Sequence, residues 1–311
     1  GGGLEVTVTL SVGVASVSGT GGGVDGLMAA ADSALYEAKR RGRDRVEAYD
    51  PALRRQVLRR LSMERQLRRA LDGRELVLHF QPVVRAGDRV VTGAEALLRW
   101  QHPEQGLLPP AVFLPLAQDS GLMPRVCEWV LHHASAQAAA WARTCSRPPR
   151  VFINLDRHQL TDDQLPALLA AVTAQEHADA AGITLELSES LLSEDLAQVG
   201  ALLRRVRGTG VGIALDDFGA GITALGWLQQ LPLDLLKLDR RLTADLERPA
   251  GRAVVRAVLD LAPQLGIDTL AEGVEDAQQA ADLTGLGCGY LQGFHLGRPQ
   301  PAEQFSALLT A

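Results

Sequence analysis

Long apolar runs are missing from this sequence: no stretch approaches the roughly 18 consecutive apolar residues that mark a membrane-spanning helix. Cysteine is scarce. Cys127, Cys145 and Cys288 are scattered, odd in number and contain no C-x-x-C pair. That excludes a disulfide scaffold and a thiolate zinc cluster, and it points to a reducing compartment, the cytoplasm. A basic excess is also lacking. The 311 residues carry 31 Lys and Arg against 37 Asp and Glu, a formal net charge of −6, so polymeric nucleic acid is not an expected partner. A small anionic ligand stays open, because metal ions can supply the positive charge. H-E-x-x-H, G-x-S-x-G and Walker A motifs are absent, and the seven histidines show no ligand spacing. His132 and His133, neighbours on a helical segment, face apart and read as structural.

What is present is ordinary globular material, 46% hydrophobic and 22% charged, enough for one large domain and a smaller piece. Residues 4–17, "LEVTVTLSVGVASV", alternate like a strand. "VDGLMAAADSALYEAKRRGRDRV" follows as a helix stopping near Gly42, with basic residues in its last turn. Because the chain opens inside that alternation, it reads as a fragment, with sensor or membrane-anchoring segments upstream. Residues 1–50 are too few to close a core alone. Pro51 then starts an arginine-rich amphipathic helix, with 51–61 as a linker. Beyond residue 75, strands and helices alternate: eight strands in about 240 residues, which predicts a (β/α)8 barrel of TIM type. The first connection, "VVRAGDRVV", is too short for a parallel crossover. It reads as a hairpin around Gly87-Asp88, so the first strand is expected to run antiparallel.

Strand parity then locates the polar residues. In "ITLELSES", Ile183, Leu185 and Leu187 share one face and Thr184, Glu186 and Ser188 the other. The apolar face packs on helices, so Glu186 points inward near the strand's C-terminal end. The same reasoning sends Asn154, Asp216, Lys237 and Glu272 inward, and puts Glu95 on one face with Gly93, Leu97 and Arg99. Asp217 has the wrong parity, yet it lies where the pleat ends and can swing over the same mouth. Six strands each place a polar residue at the end where barrel enzymes keep their active sites. An all-oxygen cluster of Glu95, Asn154, Glu186, Asp216 and Asp217 suits Mg²⁺ or Mn²⁺ over Zn²⁺. Adjacent Asp216 and Asp217 suit a metal pair with one bridging carboxylate, an arrangement that serves displacement at phosphorus.

"HFQPVV", "GAEALLRW", "INLDRHQL", "LELSES", "ALDDFGAG", "LLKLD", "LAEGVE" and "GYLQGF…GRPQP" resemble, in that order, the motifs of EAL-domain cyclic di-GMP phosphodiesterases over residues 62–311. The resemblance implies a modified barrel with one antiparallel strand, and hydrolysis of cyclic di-GMP to linear pGpG with Mg²⁺ or Mn²⁺ at a two-metal site. It implies Glu95, Asn154, Glu186, Asp216, Asp217 and Glu272 as metal ligands. Lys237 would act on the attacking water, and Glu272 would act at that water or at the second metal. Gln81, Leu97, Arg99, Gln292 and Pro299 would contact the nucleotide, with Glu189 and Glu275 in support. A homodimer is plausible for the family. "LSVGVA" and "ADSALYEAKRRGRDRV" resemble the C-terminal end of a GGDEF (diguanylate cyclase) domain whose signature motif is absent, so no cyclase activity is expected. The chain departs from the family after "DDFGAG", where Ile222, Thr223 and Ala224 replace Tyr-Ser-Ser; at Asp156-Arg157, where Ser-Pro is common; and at Gly289, where Asp is common. Two other readings stay open, the first prompted by the altered Ile222–Ala224 loop and the second by the oxygen cluster itself. One is a cyclic di-GMP receptor that does not cut its ligand. The other is a barrel metalloenzyme with Lys237 as base toward an enolisable acid.

Overall fold

The computed structural model describes residues 9–16, 23–160, 163–190, 196–220 and 226–309. The chain divides into two compact units, residues 1–72 and 73–311. In the first, strands β1 (Val12–Val14) and β2 (Val46–Ala48) pair in parallel, joined through the helix Gly23–Arg40. Ala30, Ala34 and Ala38 recur every fourth residue and are buried along that helix. Gly13 is required at the crossing, because a Cβ there would stand 2.3 Å from Ala31 O and Leu35 N. Glu37 is buried, and hydrogen bonds from Arg40 and Arg41 hold its carboxyl below the usual carboxylate range against the cost of burial. The strand expected over residues 4–17 is narrower: among described residues only Val12–Val14 is extended and paired. β2 has no strand-like alternation to reveal it. The helix Pro51–Asp72 completes this unit.

The second unit is the barrel. Its walls are β3 (Leu76–Arg85), β4 (Val91–His102), β6 (Arg150–Asn154), β7 (Ile183–Ser188), β8 (Gly212–Phe218), β9 (Leu235–Leu238), β10 (Asp268–Ala271) and β11 (Tyr290–Gln292). Two short strands that sequence periodicity did not reveal extend it at the rim, β5 (Gly106–Leu108) and β12 (Gln300–Pro301). β3 is antiparallel to both β4 and β11, and the walls from β4 round to β11 otherwise pair in parallel. The expected modified barrel therefore forms. The β3–β4 hairpin does turn at Gly87-Asp88, but the left-handed residue is Arg89 (φ 60°), with Asp88 Oδ1 accepting from Val90 N at 3.2 Å.

Alternation divides the barrel wall. Outward residues such as Ile213, Leu215, Leu236 and Leu238 join the main core beneath the helices. Inward, Val83, Phe152, Ala214, Leu235 and Leu270 form a dry plug, with Tyr290 packed against it. One pleat further toward the C-terminal mouth, the residues on these same strands are Gln81, Asn154, Asp216, Lys237, Glu272 and Gln292. Period-two alternation thus converts an apolar floor into a polar chamber within two residues.

Candidate metal and active site

Lys237 is the hub of that chamber. Its side chain is fully buried, and Nζ lies 2.7 Å from Glu186 Oε1, 2.7 Å from Glu272 Oε1, 3.3 Å from Asp216 Oδ1 and 3.8 Å from Glu95 Oε2. Asp216, one of the two adjacent aspartates that suggested a metal pair, therefore already faces a protein cation. One ammonium cannot balance four carboxylates. Burial opposes the charge on Lys237, but the fields of Glu186, Glu272, Glu95 and Asp216 overcome it and hold the ammonium pKa well above the ordinary lysine value. The excess negative charge appears on the acids. Burial drives Glu186 well above the normal carboxyl range, against the pull of Lys237 and with Glu95 and Asp216 adding to it. Burial likewise pushes Glu272 up to about 7, opposed by Lys237.

The other acids are held from several directions. Asn154 Nδ2 donates to Glu95 Oε1 at 3.1 Å, and Gln292 Nε2 donates to Glu95 Oε2 at 2.5 Å. Asp217 escapes its strand's parity by adopting φ 57°, a left-handed conformation that Asp tolerates better than most residues. Ser188 Oγ donates to Asp217 Oδ2 at 3.1 Å, and Asp217 N donates to Asp216 Oδ1 at 2.9 Å. Carboxylate oxygens of Asp216, Asp217 and Glu272 thereby lie within 4.8 Å of one another. Glu189 braces the turn that follows, accepting from Gly219 N at 2.9 Å.

A divalent cation fits these residues. Glu186 Oε1 meets Lys237 Nζ at 2.7 Å, but among the described residues Glu186 Oε2 and Gln292 Oε1 are buried without a hydrogen-bond partner. Such atoms are costly unless something positive meets them. The donors are all oxygen, the set that hard cations take.

A cavity of about 260 Å³ opens above the cluster. It is lined by Gln81, Glu95, Asp217, Glu272, Glu275 and Gln292 from the expected set, and also by Asp239, Arg240, Gly273, Gly293 and Phe294. Asn154, Glu186, Asp216 and Lys237 adjoin this lining through the contacts above. Leu97, Arg99 and Pro299 do not line it. Leu97 and Arg99 lie further along β4, opposite His79 and Val77, and Arg99 Nη1 donates to Leu98 O at 2.8 Å. Burial depresses the Arg99 pKa. Pro299 O meets the His79 ring, whose pKa burial and the Arg99 charge depress. Asp239 escaped sequence reasoning although it sits two residues beyond Lys237 on the same face; it caps the next helix, accepting from Arg241 N at 2.8 Å. The histidines are structural, as expected: His132 Nδ1 meets Glu176 Oε1 at 2.8 Å and His133 stacks on Trp129. The altered segment Ile222–Ala224 lies outside the described residues.

Gly293 supplies a stability test beside the site. A Cβ there would stand 2.1 Å from Val274 O and 2.3 Å from Val274 N, a backbone that itself pairs with Gln292 O at 3.0 Å. Gly293→Ala is expected to cost about 2–3 kcal/mol through overpacking. Calorimetry should show melting lowered by about 5–10 °C; an unchanged melt would contradict the close approach.

Comparison with known proteins agrees with this geometry. The profile of the EAL domain matches residues 64–299. The bifunctional diguanylate cyclase/cyclic di-GMP phosphodiesterase MucR of Pseudomonas aeruginosa is 38% identical over 304 residues, 97% of this chain and 44% of that protein. The cyclic di-GMP phosphodiesterase PdeR of Escherichia coli is 34% identical over 303 residues, 97% of this chain and 46% of that protein. The chain thus spans less than half the length of either relative. Among solved structures, the PaMucR phosphodiesterase in complex with c-di-GMP aligns with a TM-score of 0.74 at 39% identity, covering 78% of this chain and 99% of that one. The EAL domain of Mycobacterium smegmatis DcpA aligns with a TM-score of 0.64 at 32% identity, covering 76% and 97%.

Proposed function

We propose that this chain, which belongs to the EAL domain family, hydrolyses one phosphodiester bond of cyclic di-GMP to give linear pGpG, with Mg²⁺ or Mn²⁺ bound as a pair. The observation that carries the reading is the buried excess of carboxylate around Lys237, with Glu186 Oε2 lacking a hydrogen-bond partner among the described residues. MucR and PdeR, named for this chemistry, support it. Glu95, Asn154, Glu186, Asp216, Asp217 and Glu272 would hold the cations. When bound, they lower the pKa of the attacking water and neutralise charge at phosphorus.

The chain's own residues do the rest. Glu272, which lines the cavity with Oε1 2.7 Å from Lys237 Nζ, accepts a proton from the attacking water at a carboxylate oxygen. Lys237 holds Glu272 at 2.7 Å and keeps it aimed at the mouth. Water oxygen bonds to phosphorus, the P–O3′ bond breaks with its electron pair passing to O3′, and the proton taken up by Glu272 returns through solvent to that oxygen, which leaves as a hydroxyl. Gln81 and Gln292, hydrogen-bonded to Gly297 O and to Glu95, set the wall against which the nucleotide lies. Leu97, Arg99 and Pro299 would contact the nucleotide from outside the cavity lining. Glu275 would support the site from the rim.

Residues 1–50 are the C-terminal remnant of a GGDEF-type domain in this reading. The MucR match runs over 304 residues, well past the EAL match, and β1, the helix Gly23–Arg40 and β2 are its remaining parts. We place the reaction in the cytoplasm, since all three cysteines are free thiols; among the described residues no helix is long and apolar enough to cross a membrane. A homodimer remains part of the proposal, on family grounds alone.

Chromatography of cyclic di-GMP incubated with the chain tests the central claim. pGpG should accumulate with Mg²⁺ or Mn²⁺ and not with EDTA, and the cation should raise the melting temperature by mass action. Binding without pGpG would move the chain to the receptor class, and neither binding nor cleavage would overturn the substrate.

A further inference from the structure

We infer that Arg240 holds the second, uncleaved phosphate of the cyclic dinucleotide and so sets the preference for that substrate over single phosphodiesters; this rests on the phosphodiesterase reading above. Five carboxylates line the cavity, Glu95, Asp217, Asp239, Glu272 and Glu275, and the guanidinium among them is Arg240. Among the described residues Arg240 makes no ion pair. Its neighbour Arg241 pairs with Asp239 at 3.7 Å and donates to Ala220 O at 3.0 Å. An exposed arginine that lines an acidic cavity and is tied to none of its acids is available to an incoming anion.

Its backbone is held at the mouth from two sides. Asp239 caps the helix Arg240–Ala244 through Arg241 N at 2.8 Å. Gly273, at φ 64°, lies directly against it, since a Cβ there would stand 2.4 Å from Arg240 Cβ. Gly273 follows Glu272, so the wall that carries one end of the carboxylate cluster also fixes the arginine's stem. Cyclic di-GMP carries two phosphodiesters. The buried cluster with its cations serves the one being cut. The other must settle against a rim that is otherwise anionic, where like charge repels it. A guanidinium fork matches two phosphate oxygens at once, and at an exposed position it gives up little hydration until the substrate covers it.

The test is steady-state kinetics of wild type, Arg240→Gln and Arg240→Lys on cyclic di-GMP and on bis(p-nitrophenyl) phosphate, which has a single phosphodiester. Arg240→Gln should raise KM for cyclic di-GMP about 10–100-fold while kcat changes much less, the pattern of lost ground-state binding. Its loss of kcat/KM on the single diester should be at least about tenfold smaller, because that substrate has no second phosphate to lose. Arg240→Lys should recover part of the KM by restoring charge without the fork. Equal losses on both substrates, or an unchanged KM for cyclic di-GMP, would overturn the assignment. A wild type that leaves cyclic di-GMP intact overturns the phosphodiesterase reading and this inference with it; that failure is seen in the wild type itself, before any variant is compared.

Discussion

Replacing Lys237 with methionine is expected to lower kcat for cyclic di-GMP by about 10²–10³-fold, the scale of losing a pre-aimed charge in a dry site. The same substitution should leave divalent cation bound. Methionine fills much of the lysine stem's volume, so the change isolates the ammonium. In the cation-free protein, Glu186, Asp216, Glu95 and Glu272 then lose their shared partner. Removing one side of a buried ion pair costs about 3–5 kcal/mol, which for a barrel of this size lowers melting by about 10 °C. Mn²⁺ should restore more stability to the variant than to the wild type, since it supplies the charge that was removed. Melting scans with EDTA and with Mn²⁺, beside turnover, decide this. An unchanged rate would remove Lys237 from the mechanism, and an unchanged cation-free melt would mean the acids had already lost their charge by taking up protons.

Glu95→Ala should abolish measurable turnover, a loss on the order of 10³-fold or more when a cation ligand worth several kcal/mol disappears. Calorimetric titration should show the affinity for Mn²⁺ falling with it. Beyond its proposed place among the cation ligands, Glu95 is the acceptor for both Asn154 and Gln292, across three barrel strands. Alanine strands Gln292, whose buried amide then costs about 1–3 kcal/mol, whereas Asn154 is exposed and can turn to water. Glu95→Gln separates the two roles. It keeps an acceptor oxygen and the volume but removes the charge, so it should melt closer to wild type and remain inactive. Full activity in Glu95→Gln would show that the carboxylate charge at this position is dispensable.

Much of the barrel was legible because burial imposes two simple periods. Alternation in "ITLELSES" and "VGIALDDF" separated the helix-facing residues from the chamber-facing ones, and the chamber holds Glu186 and Asp216 where parity put them. The short β3–β4 connection exposed the reversed strand for the same kind of reason, because a parallel crossover needs more chain than that segment has. Asp217 was the harder case. Parity sent it away from the mouth, and only its left-handed φ and the Ser188 hydrogen bond bring it back. Arg89 rather than Gly87 took the left-handed place in the hairpin, since an Asp side chain that caps the turn can offset the strain of a non-glycine residue. Leu97 and Arg99 share a face with Glu95, but the cavity lining does not reach them.

By itself, the sequence determined which polar residues face inward at the C-terminal ends of the strands. That is a property of local backbone geometry, and it holds wherever the strands form. Only the tertiary structure decided what the acids meet. Lys237 stands on β9, Glu186 on β7, Asp216 on β8, Glu95 on β4 and Glu272 just past β10, and no spacing along the chain states that one ammonium reaches four of these carboxylates. Closure of the barrel converges them. The charge imbalance that calls for a cation, and the rim arginine that makes no ion pair among the described residues, exist only once those five strands share one chamber, because electrostatic free energy depends on separation in space and not on order in the chain.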